Sequence, residues 1–290
     1  MMDDKELQSL NQQGLIPGPD EDATSFYARV QYCLNLKTEL KSQLDLPFSI
    51  DSESGNSLIR LVSQKTEEFY GMSPTWVPVV FSNHKLSPWH GGCAWIFQAT
   101  SESPLGAFFQ LRKAFKYSYR YLGLYDRDEL VVHEIAHIGR MAFQEPKFEE
   151  ILAYRTSKNR FRRLFGPIVQ SSRESLLFVM ALFVSLVFNI FGALEHTYSP
   201  LWFNILPLSL IVYGVCRVML RHYQFCRCWR NLKELLGARE KTNAVIYRLR
   251  DQEIIAFGKI SPSTIQEYIK TQQSLRWRLL TKAYFTQDSI

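Results

Sequence analysis

Cysteine is scarce in this chain, and its spacing follows no metal-binding or disulfide pattern. The 290 residues include five cysteines, and no two of them form a C-x-x-C pair. An odd number without paired spacing indicates neither a disulfide framework nor a cysteine zinc site. We therefore predict a reducing compartment. The five are Cys33, Cys93, Cys216, Cys226 and Cys228.

Other signatures are missing as well. The chain contains no phosphate-binding loop, no Gly-x-Ser-x-Gly elbow and no Cys/His pair with the spacing of a nucleophile. These absences argue against a P-loop nucleotide hydrolase and against a serine or cysteine hydrolase. Residues 1–6 are acidic, with no apolar stretch behind them, so we predict no secretory signal peptide.

Long apolar runs are present late in the chain. Residues 176–194 contain no charged side chain, and neither do the 21 residues between Glu195 and Arg217. A bilayer core needs about 20 helical residues, so each run is long enough to span one. The six residues Glu195 to Pro200 join the runs into a predicted antiparallel hairpin. The other interpretation is a pair of helices buried in a soluble core.

Charge around the hairpin predicts its orientation. The formal net charge is +6, and basic residues flank the two runs, whereas the short connection has no Lys or Arg. The positive-inside rule places both flanks, and thus both termini, in the cytoplasm. Beside apolar spans, such basic clusters favour anionic lipid head groups over a specific nucleic acid. We predict three parts: a cytoplasmic domain over 1–170, a transmembrane hairpin over 174–220 and a cytoplasmic helical segment over 221–290.

The pattern elsewhere predicts an α+β fold that is mainly helical with a small sheet. Strand composition marks residues 75–81 and 92–98, and helical periodicity marks 23–44, 56–70 and the region from Gln110 to Tyr121. The C-terminal segment predicts helices over 223–236, 244–257 and 263–278, with Asn243 and Ser261 as helix starts.

The residues that carry chemistry lie in a short helix. Asp126, followed three residues later by Glu129, is an N-terminal capping pattern. His133 and His137 are four residues apart, so they project from one face about one turn apart. Two imidazoles so placed can hold one zinc ion, and Glu134 then lies beside the metal as a general base on zinc-bound water.

These residues, His133-Glu134-Ile135-Ala136-His137, resemble the zincin superfamily of zinc metallopeptidases. The resemblance covers roughly residues 75–160, and the pentad is its diagnostic part. It implies a zincin-like domain in which a small sheet packs on two helices, the first of which carries two ligands. It also implies a glutamate ligand in an E-x-x-A context on the second helix.

Three glutamates are candidates for the third ligand. Glu150 follows Pro146 and has Ala153 three residues on, so it is the preferred one, with its neighbour Glu149 in reserve. Glu253 lies in a second E-x-x-A, beyond the hairpin. That order is similar to membrane gluzincins such as the CAAX prenyl proteases. Three protein ligands plus water is the usual catalytic count.

Two further residues have open roles. His90, in a predicted turn, is either structural or a donor to an oxyanion, and Tyr154 is either a core aromatic or such a donor. The structural interpretation is preferred for each.

The sequence thus predicts a membrane-anchored metallopeptidase with Zn²⁺ held by His133, His137 and Glu150, and with Glu134 as base. Its expected partners are a polypeptide substrate, membrane proteins included, and the lipid bilayer. The alternative is a non-catalytic integral membrane scaffold with an incidental or structural metal site.

Overall fold

A computed structural model describes residues 3–42, 52–170, 172–195 and 201–285. Within these ranges the chain is mainly helical with a small sheet, which confirms the coarse prediction of an α+β fold. The strands are β1 (Val79–Phe81), β2 (Gly92–Gln98), β3 (Leu105–Leu111), β4 (Arg120–Tyr121) and β5 (Tyr125–Asp126). The helices are α1 (Asp4–Gln12), α2 (Ala23–Ser42), α3 (Ser52–Tyr70), α4 (Arg127–Gly139), α5 (Glu149–Tyr154), α6 (Arg160–Phe165), α7 (Ser172–Glu195), α8 (Leu201–Leu236), α9 (Arg239–Tyr247), α10 (Asp251–Phe257), α11 (Pro262–Thr271) and α12 (Leu275–Tyr284).

The main sheet has the order β1-β3-β2, with β3 parallel to β1 and antiparallel to β2. Strand β2 has the predicted bounds, and β1 is shorter than the predicted strand over 75–81. Among the described strands β2 pairs with β3 alone, so its other edge is free of a strand partner. An unpaired edge presents backbone N–H and C=O groups to any extended chain that approaches it.

The predicted helix from Gln110 to Tyr121 is wrong. Its first residues belong to β3, a 3₁₀ turn follows at residues 113–116, and β4 ends the segment. The buried Gln110 side chain donates to the carbonyls of Ser82 and His84 and accepts from the Trp95 indole. These bonds reach chain segments far away in sequence, and a local helical pattern does not contain that information.

One hydrophobic core joins the N-terminal helices to the C-terminal ones. The buried Arg248 guanidinium donates to the Asn11 side chain and to the Tyr70 carbonyl, and the Tyr247 hydroxyl donates to the Ala136 carbonyl in α4. The C-terminal helices therefore brace the helix that carries the histidines.

The C-terminal helices begin and end differently from the prediction. The predicted helix over 244–257 is two helices, α9 and α10, and Asn243 lies inside α9 and does not start it. Arg140 donates to the carbonyls of Tyr247 and Leu249, which satisfies backbone acceptors where α9 ends. Ser261 does cap α11, as predicted, by accepting from the Thr264 N–H.

The two apolar runs form α7 and α8, which pack against each other. Both helices are long and apolar enough to cross a membrane, and 17% of the most apolar stretch of each is buried. Side chains such as Phe183 and Leu186 are more than half exposed, unlike those of helices in a soluble core. Insertion and orientation stay predictions, and the connecting residues 196–200 lie outside the described ranges.

Helix α8 continues to Leu236 without a break, so the predicted helix over 223–236 is its second half. There the side chains of Phe225, Cys228 and Leu232 enter the core of the domain. The second half of α8, which packs in the core of the domain, thus connects the hairpin to the domain without a linker. Helix α2 begins at Ala23, where the predicted helix over 23–44 begins, and residues 43–51, which include the predicted C-terminal end, fall outside the described part of the chain.

Candidate metal centre

Helix α4 presents the two histidines on the side facing away from its buried residues. The Asp126 carboxylate accepts hydrogen bonds from the backbone N–H groups of Asp128 and Glu129, which starts the helix at the predicted cap. Val131, Val132 and Ile135 are fully buried against the core. The Nε2 atoms of His133 and His137 lie 3.4 Å apart.

Helix α5 brings Glu150 to these two nitrogens. The Glu150 carboxylate oxygens lie 3.7 Å from Nε2 of His133 and 3.7 Å from Nε2 of His137. Ala153 is fully buried, and a small residue there lets α5 approach α4 closely. His133, His137 and Glu150 form a group whose ligand atoms all lie within 4.8 Å of one another.

This spacing fits a zinc ion. Ligand atoms about 2.0–2.2 Å from a tetrahedral ion are about 3.3–3.6 Å apart, close to the observed 3.4 Å and 3.7 Å separations. Two imidazole nitrogens and one carboxylate oxygen are also a ligand set that suits zinc, and three protein ligands leave one coordination position open. The residues present therefore fit the predicted metal.

Glu149, the predicted reserve ligand, contacts the His137 ring at the nitrogen that does not face Glu150. Its Oε1 lies 3.0 Å from Nδ1 of His137, on the side of the ring opposite the ligand nitrogen. A carboxylate at this position fixes the ring orientation and the tautomer that leaves Nε2 free for a metal. Burial by itself lowers the pKa of His137, but Glu149, Glu150 and Glu134 outweigh it and raise the pKa to about 9. A metal ion that binds this ring at neutral pH would therefore displace a proton from Nε2.

Glu253, the third candidate, is not brought to the histidines. It lies on α10, where its carboxylate binds the Arg276 guanidinium at 2.7 Å and the Trp277 indole N–H at 2.9 Å. Both members of the ion pair are at least 95% buried. The charge of Glu253 is thus neutralised inside the C-terminal helices.

Glu134 lies between the histidines and the sheet. Its Oε2 accepts a hydrogen bond of 2.8 Å from the backbone N–H of Ala94 in β2. Burial raises the pKa of this carboxyl, although the nearby His137 and the Ala94 N–H oppose the shift. A buried carboxylate with a raised pKa is a better proton acceptor than an exposed one at neutral pH.

A cleft of about 470 Å³ opens over these residues, bounded by β2 on one side and by α4 and α5 on the other. His90 and Tyr154 both line it, so the structure gives both a place at the site. The Tyr154 ring lies 4.5 Å from the His133 ring, centroid to centroid. Burial, with the charge of Glu150, raises the pKa of Tyr154 to about 12, which keeps its hydroxyl protonated and able to donate.

Arg162 also lines the cleft, and the sequence did not single it out as a site residue. It forms an ion pair of 3.1 Å with Glu129 on α4 and donates to the Leu124 carbonyl. Arg162 is one of the basic residues before the first apolar run, which were predicted to bind lipid head groups. Glu129 was predicted to be part of the cap of the helix that carries the histidines. Their pairing depends on how α6 folds back over α4.

Burial lowers the pKa of His133 well below its ordinary value, and the nearby His137 and Arg162 act in the same direction. A neutral imidazole is the form that binds metal. The cleft therefore contains three candidate metal ligands (His133, His137 and Glu150), the buried Glu134 carboxylate and the protonated Tyr154 hydroxyl, next to a strand edge that no described strand pairs with.

No protein-family model matches the chain, and neither does any curated protein or solved structure. The geometry of the cleft is therefore the basis for any functional proposal.

Proposed function

We propose that this chain is a membrane-anchored zinc metallopeptidase of zincin-like type that hydrolyses peptide bonds at the cytoplasmic face. The convergence of His133, His137 and Glu150 beside Glu134 is the observation that carries the proposal. Zinc would be held by the first three residues and, when bound, supplies Lewis-acid chemistry that acidifies water and polarises a carbonyl.

The chain's own residues have distinct tasks in this reaction. Glu134 accepts a proton from the attacking water and later gives it to the leaving amine. Glu149 holds the His137 ring in position through its Nδ1. Tyr154, protonated at neutral pH and next to His133, donates a hydrogen bond to the oxygen on which negative charge develops.

Substrate binding follows from the free edge of β2. An extended polypeptide can add to this edge as a further strand, with side chains alternating between the cleft and the opposite side. The same strand holds Glu134 through Ala94, so a chain that pairs with it lies next to the base. The strand edge thus supports a polypeptide substrate over a small molecule.

The membrane anchor rests on α7 and α8 with their exposed apolar surfaces. The basic flanks on both long segments support a hairpin whose two ends face the cytoplasm. The site lies outside the two apolar helices, since α4 and α5 belong to the domain core. Membrane proteins and chains presented at the membrane surface are the proposed substrates.

The test compares the parent with a Glu134→Gln variant in lipid nanodiscs. Zinc content is measured by mass spectrometry, and hydrolysis is measured with a quenched fluorescent peptide library of mixed sequence. We expect one zinc per chain in both proteins, with hydrolysis about 100- to 10,000-fold lower in the variant, because a positioned general base contributes that much.

A Glu267→Gln variant, on the exposed surface of α11, is the control for the substitution itself and should hydrolyse peptides like the parent. Absence of zinc from parent protein given one equivalent would contradict the metal centre. Bound zinc without any hydrolysis that depends on Glu134 would support the scaffold alternative.

A further inference from the structure

A second cavity lies where the domain meets the two apolar helices. It has a volume of about 330 Å³ and is enclosed by α7, α8 and the 3₁₀ helix Gly166–Ile168. Its surface is mostly apolar, and we call it the hairpin groove. The side chains that define it are Ile168, Val169, Leu177, Phe178, Leu210 and Ile211.

The hairpin groove and the metal cleft share a wall. Val169 lines both cavities, and half of its surface is exposed. The segment that carries it is tied to the hairpin, because the Arg217 guanidinium donates to the Ile168 carbonyl at 2.7 Å. The cleft that contains the histidines and the apolar groove are therefore adjacent, with Val169 lining both.

Charge at the rim of the groove is already satisfied. Glu174 and Arg217 form a two-bond ion pair, with distances of 2.5 Å and 2.9 Å. The pair neutralises both charges, and the surface of the groove is mostly apolar, so the groove favours an apolar occupant. Both residues stand where apolar helix gives way to basic flank, which is the level at which hydrocarbon meets water.

We propose that the hairpin groove binds the apolar, membrane-embedded segment of the same polypeptide whose tail is cut in the metal cleft. This inference rests on the proposed peptidase function and names its substrate class: membrane-anchored polypeptides cut in the tail next to the anchor. A free lipid chain would fill the groove without using the path past Val169. A polypeptide joined to its own apolar segment uses both cavities at once.

The path also explains why such a site would favour anchored chains. Once the apolar segment occupies the groove, binding of the tail in the cleft is intramolecular, and its effective concentration is in the millimolar range. Weak pairing with the short strand β2 then suffices for productive binding. Cleavage is thereby limited to bonds near the anchor, since the two cavities adjoin.

The experiment is site-specific photo-crosslinking of the full chain in nanodiscs, loaded with zinc. A photoreactive phenylalanine analogue is placed at Leu177, which lines the groove, or at Leu176, which does not. The two are a matched pair, because each is 62% exposed on α7. The probe is a model peptide with an apolar helix of about 20 residues. Its cytoplasmic tail ends in a hydroxamate, a group that chelates zinc.

We expect crosslinking at position 177 to exceed that at 176 by about tenfold, because the tail draws the helix into the groove. Replacing the hydroxamate by a carboxamide should reduce the difference, because the helix then binds the groove without the help of the tethered tail. As a second readout, Leu177→Trp should weaken binding of the anchored probe but not of the same hydroxamate tail without its helix, and Leu176→Trp should change neither.

Equal crosslinking at the two positions, while the soluble hydroxamate still binds, would overturn the groove proposal and leave the metal centre intact. Failure of the zinc-loaded protein to bind the soluble hydroxamate would overturn the proposed function, and the groove proposal with it. The readout is binding, so it does not depend on finding a cleavable sequence.

Discussion

Substituting the three candidate glutamates one at a time, each by glutamine, should rank them by their effect on zinc affinity. Glu150→Gln removes a carboxylate that lies 3.7 Å from both ligand nitrogens. Glu149→Gln removes only the partner of His137 Nδ1. Glu253→Gln changes a carboxylate that is bound to Arg276, away from the histidines.

The expected losses of zinc affinity follow from the positions of the three glutamates relative to His133 and His137. Structural zinc sites with four ligands bind with about 10–16 kcal/mol, so one ligand contributes roughly 2.5–4 kcal/mol and its loss weakens binding about 60- to 700-fold. Loss of a group that only orients a ligand weakens binding about 10- to 100-fold. Glu253→Gln should leave zinc affinity within about twofold of the parent, because it touches no ligand.

The assay is competition with a chromophoric zinc chelator at pH 7.5, on protein in nanodiscs whose helical content is checked by circular dichroism. The order of loss should be Glu150, then Glu149, with Glu253 unaffected. A larger loss for Glu253→Gln than for Glu150→Gln in folded protein would refute the ligand set and return the third position to the C-terminal helices.

Two other predictions concern stability. Burial raises the pKa of Glu253 by itself, but the charge and hydrogen bonds of Arg276 outweigh it, so the net pKa is lowered. The stabilisation is therefore complete above the unfolded value of about 4.3 and is lost as pH falls through the lower folded value. Urea unfolding should show Glu253→Gln less stable by about 3–5 kcal/mol at pH 7, because a buried Arg276 loses its partner, with the deficit shrinking in acid. An equal deficit at all pH values would contradict this. Gly139→Ala should destabilise the chain by about 1–3 kcal/mol in the same assay, since the new methyl meets the Tyr247 hydroxyl and Met72 at the end of α4. Unchanged stability would mean that α9 is packed less tightly on α4.

The arrangement of the two histidines in the candidate site could be predicted from sequence because it depends on local structure. A cap at Asp126 and a four-residue spacing between His133 and His137 determine one helical face, whatever the rest of the chain does. Glu150 and Glu149 could not be separated with the same certainty. Adjacent residues on a helix point about 100° apart, so their roles depend on where α5 begins and how it is rotated.

Features built from distant segments could not be predicted. Arg162 reaches Glu129 only because α6 folds back on α4, and Glu253 pairs with Arg276 only because α10 and α12 pack together. The helical pattern at Gln110 was misleading for the same reason, since β3 is stabilised by strands on both of its sides. The two ion pairs join residues 33 and 23 positions apart, and the strand partners of Gln110 lie 17 and 30 positions away in sequence.

The continuity of α8 couples the proposed membrane anchor to the domain that contains the candidate metal centre. The helix has 36 residues and rises about 54 Å at about 1.5 Å per residue, whereas a bilayer core takes up about 30 Å. The remainder enters the domain, where Phe225 packs against Phe148, the residue just before α5. A change in the tilt of the hairpin, in a thinner or thicker bilayer, would therefore shift the short helix that carries Glu150. If α7 and α8 span a bilayer, its thickness would influence the position of Glu150 relative to His133 and His137.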